Sequence, residues 1–301
     1  MHDKFLAYFD AVAQHGSIRK AAAHLNVSSS SVNRKIIGAE ERFGVRLFDR
    51  HAEGVELTAA GAVVLEHCRR TLFDYRKTMA VMDDIRELRT GHIDIATLDS
   101  VALSILPDLL ERFSTAYPQI SFTIRMAEPS NVADSVAEGR ADIGITFTND
   151  LRTGVRPYTE KAAPIGAIMR PDHPLAGRDR LLVDDLTPFH VVRSYDGVTE
   201  RSLWSEAMTA AGVTVPTHTT TNSLPLARSL VMRMHCVGIY TKIGFLGDIE
   251  EGKLHYIPIQ SPVLGNLKIG IAISARTALS QPANLLCRSL SRELRALRLD
   301  S

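Results

Sequence analysis

A run of short polar and basic side chains near the amino terminus is the part of this sequence with the most suggestive chemistry. It comprises Ser28, Ser29, Ser30, Ser31, Asn33, Arg34 and Lys35. Hydroxyl and amide groups can hydrogen-bond to phosphate oxygens and to base edges, Asn33 is suited to adenine, and Arg34 can pair with phosphate or guanine. Together with Ser17 and Arg50, these residues are our predicted contacts to double-stranded DNA.

The spacing of apolar residues predicts helices on both sides of a short turn. Ser17 can cap a second helix, and Asn26-Val27 forms a tight turn after it. Ser28 can then cap a third helix, which stops at Gly44. Two short helices across such a turn form the helix-turn-helix pattern, in which the second helix enters the major groove by its first turns.

Two further observations bear on this interpretation. Four serines in a row also occur in flexible linkers or as simple caps, but Val32, Ile36 and Ile37 continue a helix directly behind them. Between Arg19 and Arg50 there are seven basic and three acidic residues, which favours phosphate binding, although a solvated helix face would look similar.

A small β-wing and a long helix are predicted next. Residues 50–58 contain the alternating Val55 and Leu57, and Arg50 at their base suits a backbone or minor-groove contact. After Thr58, apolar residues step by 3, 4, 3, 4 and 3 along a helix: Leu65, Cys68, Leu72, Tyr75, Met79 and Met82. This is the a/d spacing of a coiled coil, so we predict dimerisation through the helix. The alternative is a helix that packs on its own domain.

From residue 90 onward the sequence alternates predicted strands with predicted helices, which indicates an α/β fold with parallel strands and right-handed crossovers. Ligands of such sheets bind beyond the carboxyl ends of the strands, near helix N-termini. The residues at those positions are Ser100, Ser130, Asn131, Phe147, Thr148, Tyr195 and Asn222, with Ser223 as an alternative cap to Asn222. They could also be ordinary helix caps. Amides and hydroxyls at helix N-termini suit a small anion such as a carboxylate.

Composition limits the other possibilities. A chain of 301 residues with 45% hydrophobic and 23% charged residues suggests two or three globular domains, and its net charge of +1 is uninformative. The three widely spaced cysteines argue against a disulfide scaffold and a structural zinc site. There is neither a signal-peptide pattern nor an apolar run long enough for a membrane span. We expect a cytoplasmic protein with no metal, no cofactor and no membrane partner.

The amino-terminal residues closely resemble the DNA-binding domain of LysR-type transcriptional regulators. The matching positions are Gly16-Ser17-Ile18, Ala21-Ala22, Leu25-Asn26-Val27-Ser28, Ser30, Val32, Arg34, Ile36, Glu40, Gly44-Val45, Leu47-Phe48, Arg50, Leu57-Thr58 and Gly61, ungapped over about 60 residues. Ser29, Ala39 and Arg46 depart from the usual glutamine, leucine and proline. Because Ser29 lies on the predicted reading face, the resemblance does not carry over an operator preference.

The resemblance continues through Leu106-Pro107, Glu138–Ile145 and His173-Pro174-Leu175-Ala176, which are similar to the effector domain of that family. It implies a winged helix-turn-helix at 1–58, a linker helix at 59–89 and a two-lobed effector domain at 90–301, like type 2 periplasmic binding proteins. Lobe 1 would span about 90–162 and 266–301, and lobe 2 about 163–265. The resemblance also implies that Ser100 and Thr148 lie near effector contacts, and that the protein forms homodimers and homotetramers. RNA polymerase is a further partner if the protein activates transcription.

Other functions have less support. Gly247–Lys253 matches the spacing of a phosphate-binding loop, but Leu254 replaces the required Ser or Thr and three acidic side chains would repel phosphates. The motifs HExxH, GxSxG and GxGxxG are absent from the sequence, so we predict no enzyme activity. Cys236 stands where the family usually has glycine, which leaves open a redox-sensing thiol or a small buried residue.

Overall fold

The computed structural model describes residues 4–51, 54–85, 91–194 and 203–300. The chain forms two compact units, Met1–Leu88 with Glu138–Arg140, and Arg89–Ala137 with Ala141–Ser301. Across the described ranges, no helix has both the length and the apolar character needed to cross a membrane.

The first unit contains the predicted helix-turn-helix, β-wing and long helix. Its elements are α1 (Lys4–His15), α2 (Ile18–His24), α3 (Ser29–Phe43), β1 (Phe48–His51), β2 (Gly54–Leu57) and α4 (Ala59–Ile85). One core joins them, since Phe9, Val32, Ile36 and Leu47 are fully buried together. The antiparallel pairing of β1 with β2 runs from Phe48 opposite Leu57 to His51 opposite Gly54.

The long helix α4 uses part of its apolar seam within its own domain. Leu65 and Cys68 belong to the same core as Phe9, and Cys68 has no exposed surface. For these two residues the structure shows the alternative that the sequence left open, a helix packed on its own domain, and dimerisation through the rest of the helix stays a prediction. Leu72 and Tyr75 are half-buried. The side chains of Met79 and Met82 lie outside the described part of the helix.

The second unit consists of two α/β lobes. The chain builds lobe 1 with β3 (Gly91–Thr97), α5 (Asp99–Ser104), α6 (Leu106–Ala116), β4 (Ile120–Met126), α7 (Pro129–Ala137), β5 (Ile143–Phe147) and β6 (Val155–Ala162). Lobe 2 follows with β7 (Ile165–Met169), β8 (Val191–Ser194), α8 (Leu203–Ala211), β9 (Thr217–Thr221), α9 (Leu224–Arg233), β10 (Val237–Thr241), α10 (Leu246–Glu250), β11 (His255–Pro258) and α11 (Pro262–Gly265). The chain then returns to lobe 1 with β12 (Lys268–Ser274) and α12 (Gln281–Ala296).

Each lobe has its own five-stranded sheet. The strand order is β4-β3-β5-β12-β6 in lobe 1 and β11-β7-β10-β8-β9 in lobe 2. In lobe 1, β3 is parallel to β4 and β5, and in lobe 2, β8 is parallel to β9 and β10. The carboxyl ends of each parallel set therefore lie along one edge of its sheet, which is where ligands of α/β folds bind. The two-lobed fold inferred from the sequence is confirmed.

Candidate nucleic-acid interface and effector cleft

The recognition helix α3 begins with an ordered cap. Ser28 has an extended backbone, and its hydroxyl accepts a hydrogen bond from the Ser31 amide at 3.3 Å. The Ser28 and Ser30 hydroxyls are 3.1 Å apart, and Ser28, Ser29 and Ser30 are all exposed. Since the cap satisfies a donor at the helix start, the serines form a polar tip on a regular helix and not a flexible linker.

The buried face of α3 holds this tip in place. Val32, Ile36 and Ala39 recur at helical spacing and are 0–1% exposed. Arg34 and Lys35 lie on the other side of the helix and are exposed, as predicted for phosphate or base contacts. At the far end, Gly44 ends α3 with a φ of 68°, a left-handed conformation that glycine adopts without strain.

Ser17, Ser31 and Asn33 are less exposed than the other predicted DNA contacts. The Asn33 side chain is half-buried, and its Oδ1 is shielded from solvent without a hydrogen-bond partner among the described residues. A bidentate pair with adenine needs both the oxygen and the nitrogen of the amide, so this rotamer cannot form it. Ser17 caps α2 by accepting a hydrogen bond from the Lys20 amide at 3.4 Å, and is half-buried. Ser31 is also half-buried.

Glu40 positions the wing, a role that sequence analysis missed. Its Oε1 accepts hydrogen bonds from the backbone amides of Leu47 at 2.9 Å and Phe48 at 3.2 Å, at the start of β1. Its Oε2 lies 3.8 Å from the guanidinium of Arg50. In the sequence, Glu40 is one of three acidic residues in a basic segment and a position shared with the LysR family, and neither observation indicates a structural role. The one available signal was that Glu40 lies seven residues before Leu47 and Phe48, an apolar pair that opens a strand.

The basic residues of this domain face solvent. All seven between 19 and 50 are exposed: Arg19, Lys20, Arg34, Lys35, Arg42, Arg46 and Arg50. Of the three acidic residues in the same segment, Glu40 is turned inward to the wing and is half-buried. The exposed charge is therefore more positive than the sequence count indicates, which favours binding to a phosphate backbone.

A groove between α1, α3 and α4 was not predicted. It has a volume of about 870 Å³ and is lined by Phe5, Leu6, Arg42, Phe43, Val63, Val64, Glu66, His67, Cys68 and Arg70. Phe43 is 51% exposed and Val63 is 71% exposed. Large apolar side chains that face solvent in one groove are typical of a surface that another protein segment covers.

In lobe 1, the predicted effector residues gather at the carboxyl edge of the sheet. Ser100 lies in the first turn of α5 and is half-buried, and Ser130 and Asn131 are exposed in the first turn of α7. Thr146 Oγ1 donates to the Pro129 carbonyl at 3.3 Å, so the start of α7 lies beside the end of β5. The half-buried Phe147 packs against the lobe 1 core.

Thr148 faces the strands that connect the lobes. It is 9% exposed, and its hydroxyl donates to Glu160 Oε2 at 3.3 Å. Glu160 Oε1 accepts from Lys268 Nζ at 2.7 Å, and this hydrogen bond is the main cause of the lowered pKa of the Glu160 carboxyl. The Thr148 hydroxyl is thus occupied within the protein in this arrangement, and its role as an effector contact stays a prediction.

Asn149 also secures this connection. Its amide donates to the Asn266 carbonyl, and its carbonyl accepts from the Lys268 amide, both at 2.8 Å. The side chain therefore fastens the end of β5 to the segment that returns from lobe 2. Sequence analysis missed it because its partners are 117 and 119 residues away.

In lobe 2, Ser223 and not Asn222 caps α9. The Ser223 hydroxyl accepts from the Leu226 amide at 3.4 Å, whereas Asn222 is exposed. Across from it, the Asp99 carboxylate of lobe 1 accepts from the Leu224 amide at 3.1 Å. Tyr195 lies outside the described residues.

The cysteines are all buried as free thiols. Burial raises the pKa of Cys68 and of Cys287 to about 12, and also raises the pKa of Cys236. Cys236 is 2% exposed, and its thiol contacts the Leu230 carbonyl at 3.6 Å. A buried thiol with a raised pKa is a poor nucleophile, so the structure favours a small buried residue over a redox sensor.

Comparison with known proteins agrees with this architecture. The family model "Bacterial regulatory helix-turn-helix protein, lysR family" matches residues 4–62, and "LysR substrate binding domain" matches residues 86–295. Curated relatives include a probable RuBisCO transcriptional regulator of Chlorokybus atmophyticus, 26% identical over 88% of this chain and 87% of that protein. Another is the uncharacterized HTH-type transcriptional regulator YdcI of Escherichia coli, 25% identical over 97% and 95%.

Solved structures share the fold. A full-length OxyR variant from Pseudomonas aeruginosa matches with a TM-score of 0.70 at 19% identity, over 98% of this chain and 95% of that chain. Full-length CbnR in complex with its target DNA matches with a TM-score of 0.65 at 19% identity, over 97% and 99%. Both family models together span most of the sequence, and the chain belongs to the LysR family of DNA-binding transcription regulators with an effector-binding domain.

Proposed function

We propose that the polar tip of α3 and the base of the wing are the surfaces through which this regulator contacts its operator. The observation that supports this most is the capped, exposed serine run on a helix whose opposite face is buried. We assign direct contacts to Ser28, Ser29, Ser30, Arg34 and Lys35, and a phosphate or minor-groove contact to Arg50. Ser17 and Ser31 would contribute from the edge of this surface, and Asn33 through its amide nitrogen.

The substitution Arg34→Ala tests this surface. Operator fragments are first selected from a random duplex pool with the wild-type protein, and affinity is then measured over a range of salt concentrations. Loss of one phosphate contact should weaken binding and make the slope of log K against log salt shallower by about 0.9. Arg292→Ala, at an exposed position on α12, is the matched control. Unchanged affinity and footprint in Arg34→Ala would exclude Arg34 from the interface.

The effector site that we propose is the cleft between the carboxyl edges of the two sheets. Ser100, Ser130 and Asn131 would supply hydroxyls and amides from lobe 1, and Phe147 an apolar wall. Tyr195 and Asn222 remain candidates from lobe 2. Differential binding of a small molecule to two arrangements of the lobes would change DNA binding by a coupling of about 1–3 kcal/mol.

We further propose that the protein works as a homodimer that pairs into a homotetramer. The groove around Phe43 and Val63 supports the dimer, because a partner segment would cover the exposed apolar side chains there. Two copies related by a dyad would place two α3 helices on a dyad-related operator. The protein would act in the cytoplasm without catalysis, and would contact RNA polymerase if it activates transcription.

A further inference from the structure

The two lobes are joined by a hydrogen bond in which a backbone amide of lobe 2 donates to an acidic side chain of lobe 1. Asp99, the first residue of α5 in lobe 1, accepts through Oδ2 from the backbone amide of Leu224 at 3.1 Å. Leu224 is the first residue of α9 in lobe 2. The N-terminus of a helix of this length carries a partial positive charge, which favours a carboxylate at this place.

The hydrogen-bond donors of the first turn of α9 are all accounted for. The Leu224 amide is taken by Asp99, Pro225 has no N–H, and the Leu226 amide is taken by the Ser223 hydroxyl. The Ala227 amide binds the Ser223 carbonyl at 3.0 Å. An acidic ligand would therefore find no free backbone amide at this end of the cleft while Asp99 stays in place.

The surroundings of Asp99 hold the lobes close together. Ile243, in the 3₁₀ turn that follows β10, is fully buried within the lobe 1 core. A Cβ atom on the neighbouring Gly244 would lie 3.2 Å from the Cβ of Ser100 and 2.6 Å from a methyl group of Leu224. A side chain at this position would require the Leu224 side chain and Ser100 to shift, so the two lobes approach each other closely beside the hydrogen bond of Asp99.

The Tyr240 phenol of lobe 2 also lies near the Asp99 carboxylate. The Tyr240 hydroxyl is buried without a hydrogen-bond partner among the described residues. Burial raises the pKa of its phenol, Asp99 raises it further, and Arg193 lowers it, so both charged groups lie near the hydroxyl. The phenol stays protonated beside the carboxylate and does not add a second negative charge.

We infer that Asp99 is an internal ligand of the cleft, whose carboxylate occupies the anion-binding end of α9 and bridges the two lobes. The bridge excludes the acidic group of an effector from this end of the cleft. That group has to bind elsewhere, towards α7. This consequence rests on the proposed effector cleft, but the bridge itself does not need an effector and can be tested without one. A small carboxylate should bind at α9 only when the Asp99 side chain is removed.

Chemical rescue tests the bridge in the full-length protein. Thermal unfolding is followed by the fluorescence of Trp204, the only tryptophan, which is buried in α8 of lobe 2. Asp99→Ala should lower the midpoint by about 2–4 °C, and millimolar formate should restore it, whereas acetamide and chloride should not. Formate should leave the wild type and Asp108→Ala unchanged, since Asp108 is an exposed first-turn acid of α6 that makes no such bridge.

A second variant and a local measurement keep the inference testable if Asp99→Ala folds poorly. Asp99→Asn retains an oxygen acceptor, so it should be destabilised less and should not respond to formate. Hydrogen exchange of the Leu224 amide should accelerate in Asp99→Ala and slow again with formate. Equal formate effects on all variants, or an unchanged Leu224 amide in Asp99→Ala, would overturn the bridge. Neither outcome would affect the proposals for operator binding and effector binding, which are tested by separate assays.

Discussion

Glu40 offers the sharpest test of how the DNA-binding domain positions its wing. The substitution Glu40→Ala removes the acceptor of two backbone amides, at 2.9 Å from Leu47 and 3.2 Å from Phe48. Both residues are almost fully buried, at 0% and 2% exposed, so water cannot readily replace the carboxylate. Each buried amide left without a partner costs about 1–3 kcal/mol.

The expected cost of Glu40→Ala is therefore about 2–4 kcal/mol of local stability, because the two losses share one acceptor and do not simply add. The ion pair with Arg50 contributes little to this figure, because its atoms are 3.8 Å apart and the arginine is 45% exposed. Glu40→Gln keeps a neutral oxygen in the same place and should cost about 1 kcal/mol.

Hydrogen–deuterium exchange of the segment at residues 44–57 measures the effect where it occurs. A loss of 2–4 kcal/mol corresponds to exchange of the Leu47 and Phe48 amides that is faster by roughly 30- to 1,000-fold. Operator affinity should also fall more in Glu40→Ala than in Glu40→Gln. Glu41→Ala is the control, because Glu41 is the adjacent acid and is exposed. Equal exchange in Glu40→Ala and Glu41→Ala would refute the role of Glu40.

Two further predictions concern assembly and signalling. If the groove around Val63 is the dimer interface, Val63→Asp should convert the protein to a monomer in light scattering, because dimerisation would bury the new carboxylate away from water. Val45→Asp should not, because Val45 is also exposed but lies outside the groove. A Val63→Asp protein that remains dimeric would place the interface elsewhere. Ser100→Ala should blunt the response to an effector found by thermal-shift screening of small carboxylates and aromatics, with operator binding kept; loss of both would indicate misfolding.

Local signals were sufficient to predict the DNA-binding domain. Ser28 and Gly44 are start and stop signals of a helix that depend only on backbone geometry near them, and both have these roles in the structure. The periodicity of Val32 and Ile36 shows which face is buried, so the exposed position of Arg34 follows from it.

The elements with the weakest local sequence signals, β6, β9 and α5, depend on distant partners. Strand β9 consists of four threonines and a histidine, and strand β6 carries charges at its exposed positions, so neither shows the apolar pattern of a core strand. Both are edge strands of their sheets, where one side needs no partner and polar residues are tolerated. Helix α5 has six residues, too few for a periodic signal.

The long helix shows that an apolar pattern does not by itself identify what covers the apolar face. A spacing of 3 and 4 marks one apolar face of α4, but it does not say whether α1 or another chain covers it. The structure buries Leu65 and Cys68 in their own domain, while Val63 on a different face remains 71% exposed beside Phe43. A dimer surface is therefore better sought among apolar side chains that the folded chain leaves uncovered.

Residues that cap helices differ from residues available to contact a ligand at the candidate sites. A serine or acidic residue at a helix start satisfies backbone amides of its own chain, as Ser17, Ser28, Ser223 and Asp99 do. Where such a residue is half-buried, as Ser17, Ser223 and Asp99 are, the fold alone explains it and its position is weak evidence for a ligand. Stronger candidates are groups at the same edges that face solvent: Arg34 on α3, and Ser130 and Asn131 on α7. Because Asp99 occupies the α9 end, we expect an acidic effector at α7, whose first turn carries the exposed Ser130 and Asn131.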